Sequence, residues 1–90
     1  LLDRFLRYVR MDTQADERSR SYPSTPGQLE LGRLLRDELR LLGYADATQT
    51  EHGIVYATIP ATAPGPVPTV ALIAHVDTSP EFSGKGVNPQ

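Results

Sequence analysis

Apolar residues recur at helical spacing in the first ten positions. Leu2, Phe5, Leu6 and Val9 share one face and Asp3, Arg4, Arg7 and Arg10 the other, which predicts a short amphipathic helix. Met11 to Pro23 is polar and carries Ser19, Ser21 and Pro23, so it reads as a loop. A second helix is announced by Thr25-Pro26-Gly27-Gln28: a hydroxyl for the N-cap, Pro at the first helical position and Gln three residues after the cap. Leu31, Leu34, Leu35, Leu39 and Leu42 then form its apolar stripe, and Gly43 supplies the stop. Arg33, Arg36, Asp37 and Arg40 cover the solvated side, as charges ordinarily do on such a helix.

The pattern then changes period. Ala47 to Glu51 and Ile54 to Ile59 are strand-like and flank His52-Gly53, which predicts a compact hairpin. Pro60 to Pro68 holds four prolines and a glycine and serves as a surface connector. Thr69 to Val76 is an apolar run without a charge, the pattern of a strand buried on both faces. The order is helix, loop, helix, hairpin, connector, central strand. That is an α/β class in which helices pack on a mixed, incomplete β-sheet.

Composition narrows the class. With 39% hydrophobic and 22% charged residues the chain is globular rather than disordered, and 90 residues make one small domain at most. A core this small is marginal alone. The formal charge of −2, with scattered basic residues, leaves no electrostatic footprint for nucleic acid. No segment spans a bilayer and no signal core opens the chain, so a cytoplasmic protein without membrane partners is the default. Zero cysteines exclude disulfides and thiolate zinc sites, and a metal would rest on His, Asp and Glu. Leu1-Leu2 already lies inside a helical pattern, and Asn88-Pro89-Gln90 ends without a terminating element. The expectation is an N-terminal portion of a longer protein, truncated at both ends.

Candidate chemistry concentrates where the apolar run ends. A two-residue period places His75 and Asp77 on one face as the strand leaves the core, where open α/β sheets commonly bind ligands. An imidazole beside a carboxylate makes a metal ligand and the group that orients it. The same residues also suit a bland role, a hydrogen-bonded strand-end His and an Asp opening the turn at Thr78-Ser79-Pro80. One His does not hold a catalytic metal, which takes three protein ligands. His52 reads as a turn residue; Asp12-Thr13-Gln14, following the first helix, suits lining the site and equally tying down the loop through local hydrogen bonds, and is placed outside the site. Ser79 and Ser83 have no partner base, and Ser83-Gly84-Lys85-Gly86 lacks the spacing of a phosphate loop.

The segment from His75-Val76-Asp77-Thr78-Ser79-Pro80 through Ser83-Gly84-Lys85-Gly86-Val87-Asn88-Pro89-Gln90 resembles the metal-site segment of the M20 family of dinuclear-zinc metallopeptidases. Phe5 to Val9 with Asp12-Thr13-Gln14, then Pro23 to Gln28, then Leu31 to Gly43 with its hairpin, match in the same order. The resemblance covers essentially residues 1–90 as the N-terminal portion of an M20 catalytic domain. His-x-Asp alone also marks acylases and dipeptidases; the longer continuation is particular to the tripeptide aminopeptidases. The resemblance implies a zinc-dependent aminopeptidase that releases the N-terminal residue from tripeptides, with two Zn²⁺ in the complete site. It makes His75 the one metal ligand in this chain and Asp77 the catalytic carboxylate beside it. The general base and remaining ligands are expected beyond Gln90, and a lid or dimerisation domain admits a homodimer. The alternatives left open are an M20-type acylase of N-acylated amino acids and a non-catalytic binding module.

Overall fold

A computed structural model describes residues 1–90. Four elements form: α1 (Leu2–Tyr8), α2 (Pro26–Leu41), β1 (Thr48–Gln49) and β2 (Val55–Tyr56). The two strands make one antiparallel sheet with Thr48 opposite Tyr56 and Gln49 opposite Val55. Two helices and a two-stranded sheet constitute a small α/β arrangement, and the sheet is antiparallel rather than mixed. No helix is long and apolar enough to cross a membrane.

α2 starts and stops where the sequence places its signals. Thr25 has the extended backbone of a cap residue (φ −138°, ψ 150°) and Pro26 follows at the first helical position. The capping box, however, does not close. Thr25 makes no side-chain cap, because its hydroxyl donates to the Gln14 carbonyl at 2.9 Å, and the Gln28 amide donates to Ser24 Oγ at 3.0 Å. Both groups that would cap the helix instead fasten the preceding loop. At the other end Gly43 takes φ 100°, and the Gly43 and Tyr44 amides donate to the Arg40 and Leu39 carbonyls at 3.0 Å each. This is the left-handed glycine stop, with the orphan carbonyls of the last turn satisfied.

The hairpin lies against α2. Its loop is one residue longer than expected, Glu51-His52-Gly53, because Thr50 N–H donates to Ile54 O at 2.9 Å. Gly53 takes φ 82°, the left-handed position such three-residue loops require. Contact with the helix is made at Gly32, which is buried: a Cβ there would meet Gln49 Nε2 at 2.3 Å and Gly53 O at 3.2 Å. Gln49 Nε2 donates to Leu29 O at 3.0 Å, so a side-chain amide joins strand to helix.

The apolar stripes are less covered than their spacing predicts. Leu31 is buried and Leu34, Leu35 and Leu39 half-buried, but Leu42 is exposed. On α1 nothing is buried, and Leu2 and Phe5 lie open to solvent. α1 is joined to α2 through polar groups instead. The Tyr8 hydroxyl donates to Glu38 Oε2, the Arg7 guanidinium pairs with Oε1, and Arg4 Nε lies 3.7 Å from Oε2.

The largest departure is Thr69 to Val76. This run forms no strand, and Val70, Leu72 and Ile73 are 80%, 94% and 92% exposed. A strand needs partners for its amides and carbonyls, and β1 and β2 pair only with each other. Apolar pattern alone does not supply a neighbour. The consequence is general: five of 90 residues are buried, and the radius of gyration is 15.4 Å, against roughly 12 Å for a closed domain of this length.

Candidate functional site: a histidine–aspartate pair on a clamped turn

His75 and Asp77 are in contact. Nδ1 of the imidazole lies 3.1 Å from Asp77 Oδ1, and Nε2 has no protein partner. With the proton on Nδ1, the carboxylate accepts it and the Nε2 lone pair is left available. The His75 side chain is 83% exposed, whereas Asp77 is half-buried at the base of the turn. The contact is made by i, i+2 neighbours and does not depend on the strand that was expected to carry them.

What fixes the turn is the loop after α1. Thr78 N–H donates to Thr13 O at 3.2 Å and Ala15 N–H donates to Thr78 O at 3.0 Å, a short parallel bridge between Gln14 and Thr78. Gln14 Nε2 donates to Pro80 O at 2.8 Å. The loop is itself anchored on the start of α2, through Thr25 to Gln14 O and through Asp16 N–H to Ser24 Oγ at 3.1 Å. Thr13 is 3% exposed and Gln28 7%, so the anchor includes two of the few buried side chains. Asp12-Thr13-Gln14 thus serves as the partner of the turn that follows Asp77, and sequence reasoning placed it outside the site. Period and motif carry no signal for a pairing between residues 64 positions apart.

The backbone comes close at two glycines. A Cβ at Gly27 would lie 1.8 Å from Asp12 O, and one at Gly84 would lie 2.8 Å from Asp12 Oδ1. Beside the clamp lies a cleft of about 620 Å³, lined by Asp12, Gln14, Asp16, Thr25, Gly27 and Pro80 among others. Neither His75 nor Asp77 opens into it.

The remaining candidates have structural partners. His52 sits in the hairpin loop with the Tyr22 ring 5.3 Å away, edge to face. Ser79 Oγ and Ser83 Oγ accept from the Glu81 and Lys85 amides at 3.3 and 3.1 Å and shape their own turns. No helix follows Ser83-Gly84-Lys85-Gly86. The charged group that sequence reasoning missed is Glu38. The Tyr8 hydrogen bond, with Arg7 and Arg4, holds its carboxyl below the ordinary carboxylate range against the opposing effect of desolvation. Desolvation, then the bond to Glu38, pushes the Tyr8 hydroxyl up. This cluster couples α1 to α2.

An imidazole with a carboxylate on its other nitrogen suits Zn²⁺, which takes His nitrogen readily. The chain gathers no group of three His, Asp or Glu side chains that could hold a metal ion. The donor set therefore fits one corner of a zinc site, not a whole one.

No family model matches the chain. Against curated proteins the chain is 56% identical over 90 residues to peptidase T of Yersinia pestis (strain Pestoides F), and equally to peptidase T of Yersinia pseudotuberculosis serotype O:1b. The alignment takes in 100% of this chain and 22% of each relative, so the chain spans about a fifth of their length. The same identity holds for peptidase T of Yersinia pestis bv. Antiqua (strain Angola). From α1 through the clamp to the His75–Asp77 pair, the chain is similar along its entire length to peptidase T.

Proposed function

We propose that the full-length protein carrying this chain is a zinc-dependent aminopeptidase that releases the N-terminal residue from tripeptides. The observation that carries this reading is the 56% identity to peptidase T across all 90 residues, which include the His75–Asp77 pair. The chain forms part of the M20-type catalytic domain of a cytoplasmic enzyme, and the family resemblance admits a homodimer.

Within that reading His75 is one zinc ligand through Nε2, and Asp77 holds the proton on Nδ1. The carboxylate fixes the tautomer, restrains the ring and raises its basicity toward a metal. Zinc, when bound, supplies Lewis-acid polarisation of the peptide carbonyl and activation of a water. Asp77 needs no contact with substrate to act. Its charge reaches the reaction through the imidazole, and its half-buried setting keeps it in place. The other ligands and the group that accepts the water's proton belong to the rest of the protein.

The test is hydrolysis by the full-length, zinc-loaded protein of one tripeptide offered free and N-acetylated. Cleavage of the free peptide alone is expected and establishes an aminopeptidase. Release of acetate would make it an acylase. Turnover of neither would make the pair a structural feature of a binding module.

A further inference from the structure

Asp77 and Thr78 are adjacent, so whatever holds Thr78 holds the carboxylate that orients His75. Two hydrogen bonds hold Thr78 and a third holds Pro80 two residues on, and all come from one tripeptide. Thr13 accepts from and Ala15 donates to the Thr78 backbone, and the Gln14 side chain reaches past it to the Pro80 carbonyl at 2.8 Å. Gln14 in turn receives the Thr25 hydroxyl on its own carbonyl at 2.9 Å. The path runs from the start of α2, through the buried Thr13 stretch, to the turn carrying the pair. It is continuous and made of fixed backbone except at two side chains, Gln14 and Thr25.

The pair itself has little other support. Within these 90 residues His75 is 83% exposed and Val70, Leu72 and Ile73 before it are open to solvent, so immediately upstream of Asp77 only Val76 is half-buried. A carboxylate that must accept from Nδ1 within hydrogen-bond range needs placing to about 0.5 Å. The downstream clamp is what the chain offers for this.

We propose that Gln14 is a positioning residue for the His75–Asp77 pair, acting through its side-chain hydrogen bond to Pro80, with Thr25 holding Gln14 in place. The inference rests on the zinc aminopeptidase reading. It assigns a role in metal affinity to a side chain that touches neither metal nor substrate. Gln14→Glu keeps the shape of the side chain and removes the donor, leaving a carboxylate facing a carbonyl. Gln14→Ala removes the contact altogether, and Thr25→Val removes the hydroxyl that supports it. The Thr13–Thr78–Ala15 backbone bridge is available to all three, so the fold is retained.

The experiment measures two quantities on the full-length parent and each variant. One is zinc affinity, by competition with a chromogenic chelator. The other is the tautomer of His75 in the metal-free protein, from its ring nitrogen shifts. The expected result is a loss of affinity of about 10-fold, the lower end for groups that orient a ligand. It is accompanied by a shift of His75 from one tautomer toward a mixture, unchanged circular dichroism, and a fall in kcat with KM retained. A merely structural residue would lower thermal stability and move none of these. Affinity within about twofold of the parent in Gln14→Glu and Gln14→Ala, with an unchanged tautomer, overturns the proposal while leaving the zinc reading intact. A parent that holds no zinc overturns both.

Discussion

The carbonyl oxygen of Asp12 occupies the space that a Cβ on Gly27 would need: the two would be 1.8 Å apart. The first turn of α2 and the loop that clamps the His75–Asp77 turn are thus in backbone contact, and only a missing side chain permits it. Gly27→Ala brings a slight gain in helix propensity, at most about 1 kcal/mol. The clash is with a main-chain carbonyl that cannot rotate away, so the loop or the helix must shift, at about 1–3 kcal/mol. The net effect is destabilisation, read as a lower denaturation midpoint of the full-length protein. A midpoint equal to the parent's would mean that loop and helix do not touch at this point.

Gly43 makes the complementary case. A Cβ there meets nothing within 4 Å, yet the residue stands at φ 100°. The cost of Gly43→Ala is therefore conformational, about 1–2 kcal/mol. Gly43→Asn is expected to cost less, since Asn adopts left-handed backbone more readily. Equal losses for Ala and Asn in the same denaturation experiment would contradict this origin.

The Glu38 cluster gives stability a defined pH dependence. Its carboxyl is held below the ordinary 4.5 by the Tyr8 bond, Arg7 and Arg4, so its contribution is present above that value and lost as pH falls through the depressed one. Tyr8 is raised from 10.0, so its contribution is present below that value and lost as pH rises through the raised one. Thermal midpoints of parent and Glu38→Gln are expected to differ at neutral pH and to converge in acid, well below 4.5. A gap that persists unchanged in acid would remove ionisation of Glu38 from the account.

Much of this architecture was legible in the chain, and the misses share a cause. α2 was readable from Pro26 and Gly43 because its signals are local, acting within a turn of where they stand. The hairpin was readable from Gly53 for the same reason, with an error of one loop residue. The strand expected over Thr69 to Val76 does not form in this chain, because a strand is defined by its neighbours, and the continuity of apolar residues says nothing about whether neighbours are at hand. The His75–Asp77 contact was legible, being i to i+2. The Gln14–Thr78 bridge that steadies it was not, nor was Glu38 as the partner of Tyr8 thirty residues earlier. Long-range polar contacts leave no periodic trace, because a single Gln or Glu suffices for each.

His75 and Asp77 are expected to separate in their mutational behaviour. On the proposed zinc reading, His75→Ala removes a ring that is 83% exposed in this chain, so folding is expected to be retained while the zinc content of the full-length protein falls. Zinc content equal to the parent's would take His75 out of the ligand set. Asp77→Asn keeps the size of the side chain and an oxygen that accepts from Nδ1, so metal is retained in part. The amide supplies no negative charge to the imidazole, and kcat is expected to fall about 10- to 100-fold. Turnover at the parent's rate would leave Asp77 as the residue that opens the turn and nothing more. Loss of zinc in Asp77→Asn as complete as in His75→Ala would instead place the carboxylate on the metal itself.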